Sequence, residues 1–215
     1  MVNLMATGRF IVCDGNNGAG KSSVIADLRE WLSAAGHKVM VTREPGGTPI
    51  GEKIREVVLN PETPELCDTT ELLLFAAARA QHLQEKIIPA IEAGVIVICD
   101  RFTPATIAFQ HDGRGLPLGL VQTINGIALN GFKPDLNIIL DLDPILGMQR
   151  VASRGAQLDR MEMQKTEFLS RARDGFLRQA EEDPVSFTVV DASRSFDSVV
   201  SDVRAAVQAL LARLA

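Results

Sequence analysis

An apolar run ending at Asp14 leads into Gly15-Asn16-Asn17-Gly18-Ala19-Gly20-Lys21-Ser22, and a helical pattern starts at Lys21. The spacing is G-x-x-x-x-G-K-[ST], a phosphate-binding loop set between strand and helix as that chemistry requires. Glycines let consecutive backbone N–H groups turn towards an anion, and the helix N-terminus adds positive potential. Lys21 can reach the outer phosphates of a nucleoside triphosphate, and the Ser22 hydroxyl can ligate Mg²⁺, with Asp100 as a second metal candidate through water. Contacts to ATP are therefore expected from Gly15, Asn16, Asn17, Gly18, Ala19, Gly20, Lys21, Ser22 and Ser23. Direct in-line transfer needs no enzyme nucleophile, and no Ser-His-Asp or Cys-His arrangement can be inferred.

A phosphate-binding loop alone does not separate a kinase from a GTPase or an ATP-driven switch. The chain has no Asn-Lys-x-Asp guanine signature, and its arginines recur where strands end. Arg43 follows the second apolar run, in a loop rich in Gly and Pro, Arg101 follows Asp100, and Arg150, Arg154 and Arg160 flank Gly155. Ligands of open α/β sheets gather outside the carboxyl ends of the strands. Phosphoryl transfer needs cations around the migrating group and exclusion of water, so residues 150–162 are expected to form a closing lid. Taken singly, each of these arginines could equally be a surface ion pair.

Positioning these groups requires a sheet. Five apolar runs, Arg9–Asp14, Lys38–Thr42, Val95–Asp100, Leu136–Asp141 and Ser186–Asp191, alternate with helical patterns. Without polar alternation they suit strands buried on both faces, which predicts an α/β domain with a parallel sheet over residues 1–215. A helix is expected over Lys21–Ala35, ended by Gly36. Asp68 and Glu71 form a capping-box pattern that opens a second helix through Phe75 and Arg79, with Pro89 kinking or ending it. Asp143 and Pro144 open another, and Ser195 caps the last. Asp141 and Asp143 could hold a metal, although strand exit and helix cap suit the following proline better. His37, His82 and His111 are scattered without zinc-like spacing and read as surface or packing residues. The net charge of −5 argues against a broad nucleic-acid surface. Three cysteines, two of them inside apolar runs, and the lack of any long apolar run or leader pattern lead to the expectation of a cytoplasmic protein.

With these segments in view, the chain resembles the bacterial thymidylate kinases over essentially its whole length. The resemblance rests on the loop at Gly15–Ser22, on Thr42-Arg43-Glu44-Pro45-Gly46-Gly47, on Leu74-Phe75-Ala76-Ala77-Ala78-Arg79-Ala80-Gln81-His82, on Asp100-Arg101, and on Leu158-Asp159-Arg160-Met161-Glu162. It implies a five-stranded parallel sheet with helices on both faces, a homodimer, and transfer of phosphate from Mg·ATP to dTMP. It also implies that Phe75 stacks on the base, which Arg79, Thr106 and Gln110 meet with polar groups. On pattern alone Phe75 reads as core. Arg55 and Arg101 would hold the acceptor phosphate, and Glu44 would orient groups nearby. Arg43 and Phe109 complete the expected substrate contacts. Lys21, Arg101 and the lid residues Arg150, Arg154 and Arg160 would neutralise charge during transfer.

The chain departs from the family around the acceptor. Asn17 stands where the family has Asp or Glu, so Asp14 or Glu162 could take over the sugar-facing role. Phe102, Pro104, Ala105 and Phe109 stand where hydroxyl-bearing residues are usual, and the chain has no tyrosine. Losing a buried hydrogen-bond partner costs about 1–3 kcal/mol, enough to alter substrate preference. A kinase for dUMP or a 5-substituted deoxyuridylate, or an ATP-binding regulator without transferase activity, therefore stands beside dTMP kinase.

Overall fold

The structure is a computed structural model that describes residues 8–153, 155 and 158–213; Arg154 lies outside the described residues. Five parallel strands, β1 (Arg9–Asp14), β2 (Val39–Arg43), β3 (Ile96–Asp100), β4 (Leu136–Asp141) and β5 (Phe187–Asp191), pair in the order β2-β3-β1-β4-β5. The expected runs and the observed strands agree to within a residue at each end. Ile11, Cys13, Ile98 and Ile138 face one buried layer with helices α1 (Lys21–Ala34) and α9 (Phe196–Arg213). Phe10, Val12, Val97 and Cys99 face the other. Burial on both faces is why these strands are continuous apolar runs.

The register decides where chemistry can occur. Cys13 and Arg43 both sit opposite Asp100, so the carboxyl ends of β1, β2 and β3 close at one level. β1 lies between β3 and β4, where the strand order reverses, and such a switch point opens a crevice for ligands.

Three local features differ from expectation. Helix α2 (Pro49–Val58) follows directly on the Gly-Pro loop, where no helix was expected; Thr48 Oγ1 accepts the Gly51 N–H at 3.0 Å and Pro49 occupies the first turn. Helix α3 (Asp68–His82) begins where expected, but its N-cap, Cys67, makes no side-chain capping bond, and Glu71 turns inward instead of closing a capping box. Pro89 neither ends nor breaks the helical path. The chain widens into a π-type turn at Leu83–Ile87 and resumes as α4 (Ile88–Glu92) with Pro89 in its first turn, where the missing N–H needs no partner.

The remaining helices are α5 (Thr103–Thr106), which continues into a π-type segment at Ile107–Gly113, α6 (Leu118–Leu129), α7 (Pro144–Ala152) and α8 (Thr166–Glu182). Asp143 caps α7 by accepting the Ile145 and Leu146 N–H groups, and Asp141 is held by Arg173 at 2.6 and 2.8 Å, so both have structural partners. Among the described residues, no helix is long and apolar enough to cross a membrane.

Candidate active site

The loop after β1 turns at Gly15 (φ 128°) and Gly18 (φ 80°) because no side chain fits there. A Cβ at Gly15 would lie 2.3 Å from the Leu140 carbonyl oxygen, and one at Gly18 2.3 Å from that of Gly147 in α7. The loop is thus wedged between β4 and α7. Gly20 caps α1 without a side-chain acceptor, which leaves the first N–H groups of the helix directed at the crevice. Lys21 Nζ lies over the loop, donating to the Gly15 and Asn16 carbonyls at 3.0 Å each.

A polar knot joins this loop to β3. Arg101 adopts a left-handed backbone (φ 70°), an uncommon state outside glycine that costs about 1–3 kcal/mol. Its N–H donates to the Cys13 carbonyl at 3.0 Å, and its guanidinium donates to Asp14 Oδ1 (3.1 Å), the Gly15 carbonyl (3.0 Å) and Asn17 Oδ1 (2.6 Å). Asp14 is fully buried and also accepts the N–H groups of Gly15, Phe102 and Ala105. Burial raises its pKa even though Arg101 and Lys21 pull the other way. With its oxygens engaged inside the fold, Asp14 is not among the cleft-lining residues. It fixes the start of α5, which corrects the expectation that it reaches the substrate. Asn17 faces Arg101.

Two contiguous clefts open above the knot. The polar one is lined by Asn17, Gly18, Gly20, Lys21, Ser22, Arg43, Asp100, Asp159 and Glu162. Its neighbour, with a cavity volume of about 80 Å³, lies between Phe75, Arg79, Phe102, Ala105, Thr106, Phe109, Gln110 and Met161. Asn17, Glu44, Arg55, Arg101 and Asp159 border both. Arg55, donating to the Pro45 carbonyl at 2.9 Å, has its pKa lowered by burial and then by the nearby charge of Arg43. Arg43 itself is exposed and paired with Glu52 at 2.9 Å.

Side chains at the floor of the apolar cleft hold one another. Arg79 donates to Glu44 Oε2 (2.8 Å), Asn125 Oδ1 (2.7 Å) and Thr106 Oγ1 (3.0 Å), and His82 Nδ1 donates to Glu44 Oε1 at 3.1 Å. Phe75 is partly exposed at the cleft wall, and the Arg101 guanidinium sits 5.1 Å from the Phe109 ring centroid. Behind the cleft, buried Glu71 accepts from Gln110, Arg114 and Arg160. Burial pushes the Glu71 pKa up, but Arg114, Gln110 and Arg160 outweigh it and hold the carboxyl below its ordinary value.

Of the expected lid arginines that the structure describes, Arg150 reaches the loop at the Gly18 carbonyl and Arg160 turns away from it. Arg160 is buried, bonded to Glu71 and to the Val58 carbonyl. A buried carboxylate demands cations, and Arg160 supplies one. Arg150 reaches the Ala192 carbonyl at 3.2 Å, beside Gly18. Asn16 bonds the Leu169 carbonyl, and Ser23 is exposed one position beyond the cleft-lining Ser22. Glu71, Arg114, Asn125 and the polar role of His82 escaped sequence reasoning, because each depends on a partner distant in the chain. Asp159, inside the Leu158–Glu162 motif, lines both clefts.

Mg²⁺ suits this architecture. Asp100 and Ser22 line the same polar cleft, and among the described residues Asp100 Oδ1 is buried without a hydrogen-bond partner. One or two protein ligands completed by phosphate and water are what Mg²⁺ takes in such sites.

Comparison with known proteins adds an independent line. The family model described as thymidylate kinase matches residues 13–203. The chain is similar to a thymidylate kinase of Hahella chejuensis, 46% identical over 98% of this chain and 100% of the relative. It is also similar to those of Deinococcus radiodurans (47% identical, 94% of this chain and 98% of the relative) and Shewanella amazonensis (48%, 95% and 98%).

Proposed function

The chain belongs to the thymidylate kinase family, and from that premise we infer that it moves the γ-phosphoryl group of ATP to the 5′-phosphate of dTMP, giving dTDP and ADP. An oxygen of the dTMP phosphate forms the new bond to the γ-phosphorus, and the bond from that phosphorus to the β,γ-bridging oxygen breaks. Ser22, and Asp100 through water, would hold Mg²⁺, which would supply charge neutralisation across the outer phosphates.

The observation that carries the residue assignments is the convergence of a phosphate-binding loop and an aromatic-walled cleft on shared Asn17, Arg55 and Arg101. In this reading the Gly15–Ser22 amides and Lys21 hold ATP, and Arg101 and Arg55 hold the acceptor phosphate between the clefts. Arg101 suits that task because Asp14 and Asn17 have already fixed its guanidinium, so little ordering remains on binding. Phe75 offers a stacking face worth about 1–3 kcal/mol per base. Arg79, Thr106 and Gln110 meet the polar edge of the base, with Glu44 holding Arg79. Residues 150–162 close over the donor, and Arg150, Arg154 and Arg160 add cations; for Arg160 that requires release from Glu71.

A homodimer is part of the same proposal. Exposed Ile50 and Val57 of α2, Leu73 of α3, and Leu120 and Ile127 of α6 stand on helices packed side by side, an apolar face suited to a second copy. A cytoplasmic location fits the three cysteines, which are free thiols.

A coupled ADP-release assay over dTMP, dUMP, dCMP and 5-hydroxymethyl-dUMP tests the substrate. The highest kcat/KM is expected with dTMP; a higher value with dUMP or its hydroxymethyl derivative would transfer the assignment to that nucleotide.

A further inference from the structure

Behind the base cleft stands a carboxylate to which the transfer assigns no contact with either nucleotide. Glu71 of α3 is fully buried, and Gln110 Nε2 donates to its Oε1 at 2.7 Å. Arg114 donates to both Glu71 oxygens, at 3.2 and 3.0 Å, and Arg160 donates to Oε2. Two guanidinium groups on one buried carboxylate keep it ionised at neutral pH, and an ionised carboxylate only accepts hydrogen bonds.

The amide nitrogen of Gln110, and not its carbonyl oxygen, must therefore face Glu71. The opposite orientation would press a carbonyl oxygen against a carboxylate in a buried site. Gln110 is 1% exposed and lines the base cleft, and among the described residues no donor reaches its Oε1. With the nitrogen turned back, the oxygen is the end left to address the cleft.

We propose that Glu71 is a positioning residue that locks the Gln110 amide in this sense, so that the cleft offers an acceptor to ring N3 and selects pyrimidines with a hydrogen there. The inference rests on the base-binding role proposed above for Gln110. Thymine and uracil have N3–H. Cytosine has a lone pair at N3, which would require Gln110 to turn its NH₂ outward, and Glu71 opposes that turn. Glu71 thus acts against cytosine without touching it, since discrimination comes as much from the repulsion built against the wrong ligand as from attraction to the right one.

The test is the ratio of kcat/KM for dTMP over dCMP in wild type, Glu71→Gln, Gln110→Leu and the double variant, with folding checked by circular dichroism. A glutamine at position 71 can accept or donate, so Gln110 is free to turn. Glu71→Gln is expected to lower the ratio about tenfold or more, mainly through a higher KM for dTMP. In the Gln110→Leu background the same substitution should leave the ratio unmoved. Glu71→Asp keeps the charge between the arginines while withdrawing it from Gln110, and so provides a folded variant with an intermediate ratio if Glu71→Gln does not fold. An unchanged ratio in a folded Glu71 variant, or equal losses for both nucleotides, would overturn the proposal. Should Gln110→Leu itself leave the ratio untouched, the base-binding reading of Gln110 is what fails, and the role of Glu71 falls with it.

Discussion

Asn17 Oδ1 accepts a 2.6 Å hydrogen bond from Arg101 Nη2, joining residues 84 positions apart at the border of the two clefts. Asn17 can hold the guanidinium as a carboxylate would, but without adding negative charge beside an incoming phosphate. Asn17→Ala should therefore raise the KM for dTMP about tenfold to a hundredfold, by analogy with a lost buried partner worth about 1–3 kcal/mol. Asn17→Asp preserves the contact and should stay within about tenfold of wild type in steady-state kinetics. Equal behaviour of the two variants would remove Asn17 from the acceptor site.

Arg79 and Glu44 form a pair in which both side chains are almost wholly buried. Removing one partner of such a pair typically costs about 3–5 kcal/mol, because the other charge stays behind. Arg79→Ala should lower the urea midpoint accordingly and raise the KM for dTMP, with a smaller effect on the KM for ATP. Stability close to that of wild type would mean that His82 alone satisfies Glu44.

Glu71 predicts an acid dependence. Its folded pKa lies below the ordinary carboxylate value, so the stability it contributes is complete above the unfolded pKa and is lost as pH falls through the folded one. At pH 7, Glu71→Gln should be less stable than wild type by about 1–3 kcal/mol. That gap should close on acidification through the carboxylate range, as followed by urea unfolding at successive pH values. A gap independent of pH would show that the charge of Glu71 contributes nothing.

Gly18 has no room for a side chain, since a Cβ would fall 2.3 Å from the Gly147 carbonyl oxygen at a positive φ. Gly18→Ala must push the phosphate loop away from α7. The KM for ATP is expected to rise about tenfold or more while dTMP binding, measured by calorimetry, changes little.

The strands and the phosphate loop were legible because their signals are local: apolar runs such as Ile96–Cys99, and glycines at fixed spacing. Asp143 with Pro144 likewise announced α7. Helix α2 was missed although Thr48-Pro49 is a start signal, because the Gly-Pro loop before it dominated the pattern. Asp68 and Glu71 matched a capping box on spacing, yet Glu71 answers to Arg114 and Arg160, 43 and 89 residues away, and no local pattern reports that. Arg160 was expected over the phosphates for the same reason: sequence shows that a cation is present, and burial decides which anion it meets. The apolar cleft was anticipated only through family resemblance, since Phe75 in an apolar helix looks like core until its neighbours are known.

The central claim is that the amides and cations around Gly15–Ser22 transfer a phosphoryl group to a nucleotide in the adjoining cleft. Incubation of wild type and Lys21→Ala with dTMP and γ-labelled ATP, with thermal unfolding measured in parallel, tests it most directly. Wild type should place the label on dTDP, and Lys21→Ala should lose at least about 10²–10³ of that rate with its fold retained. Labelled dTDP at the wild-type rate from folded Lys21→Ala, or none from wild type, would contradict the account.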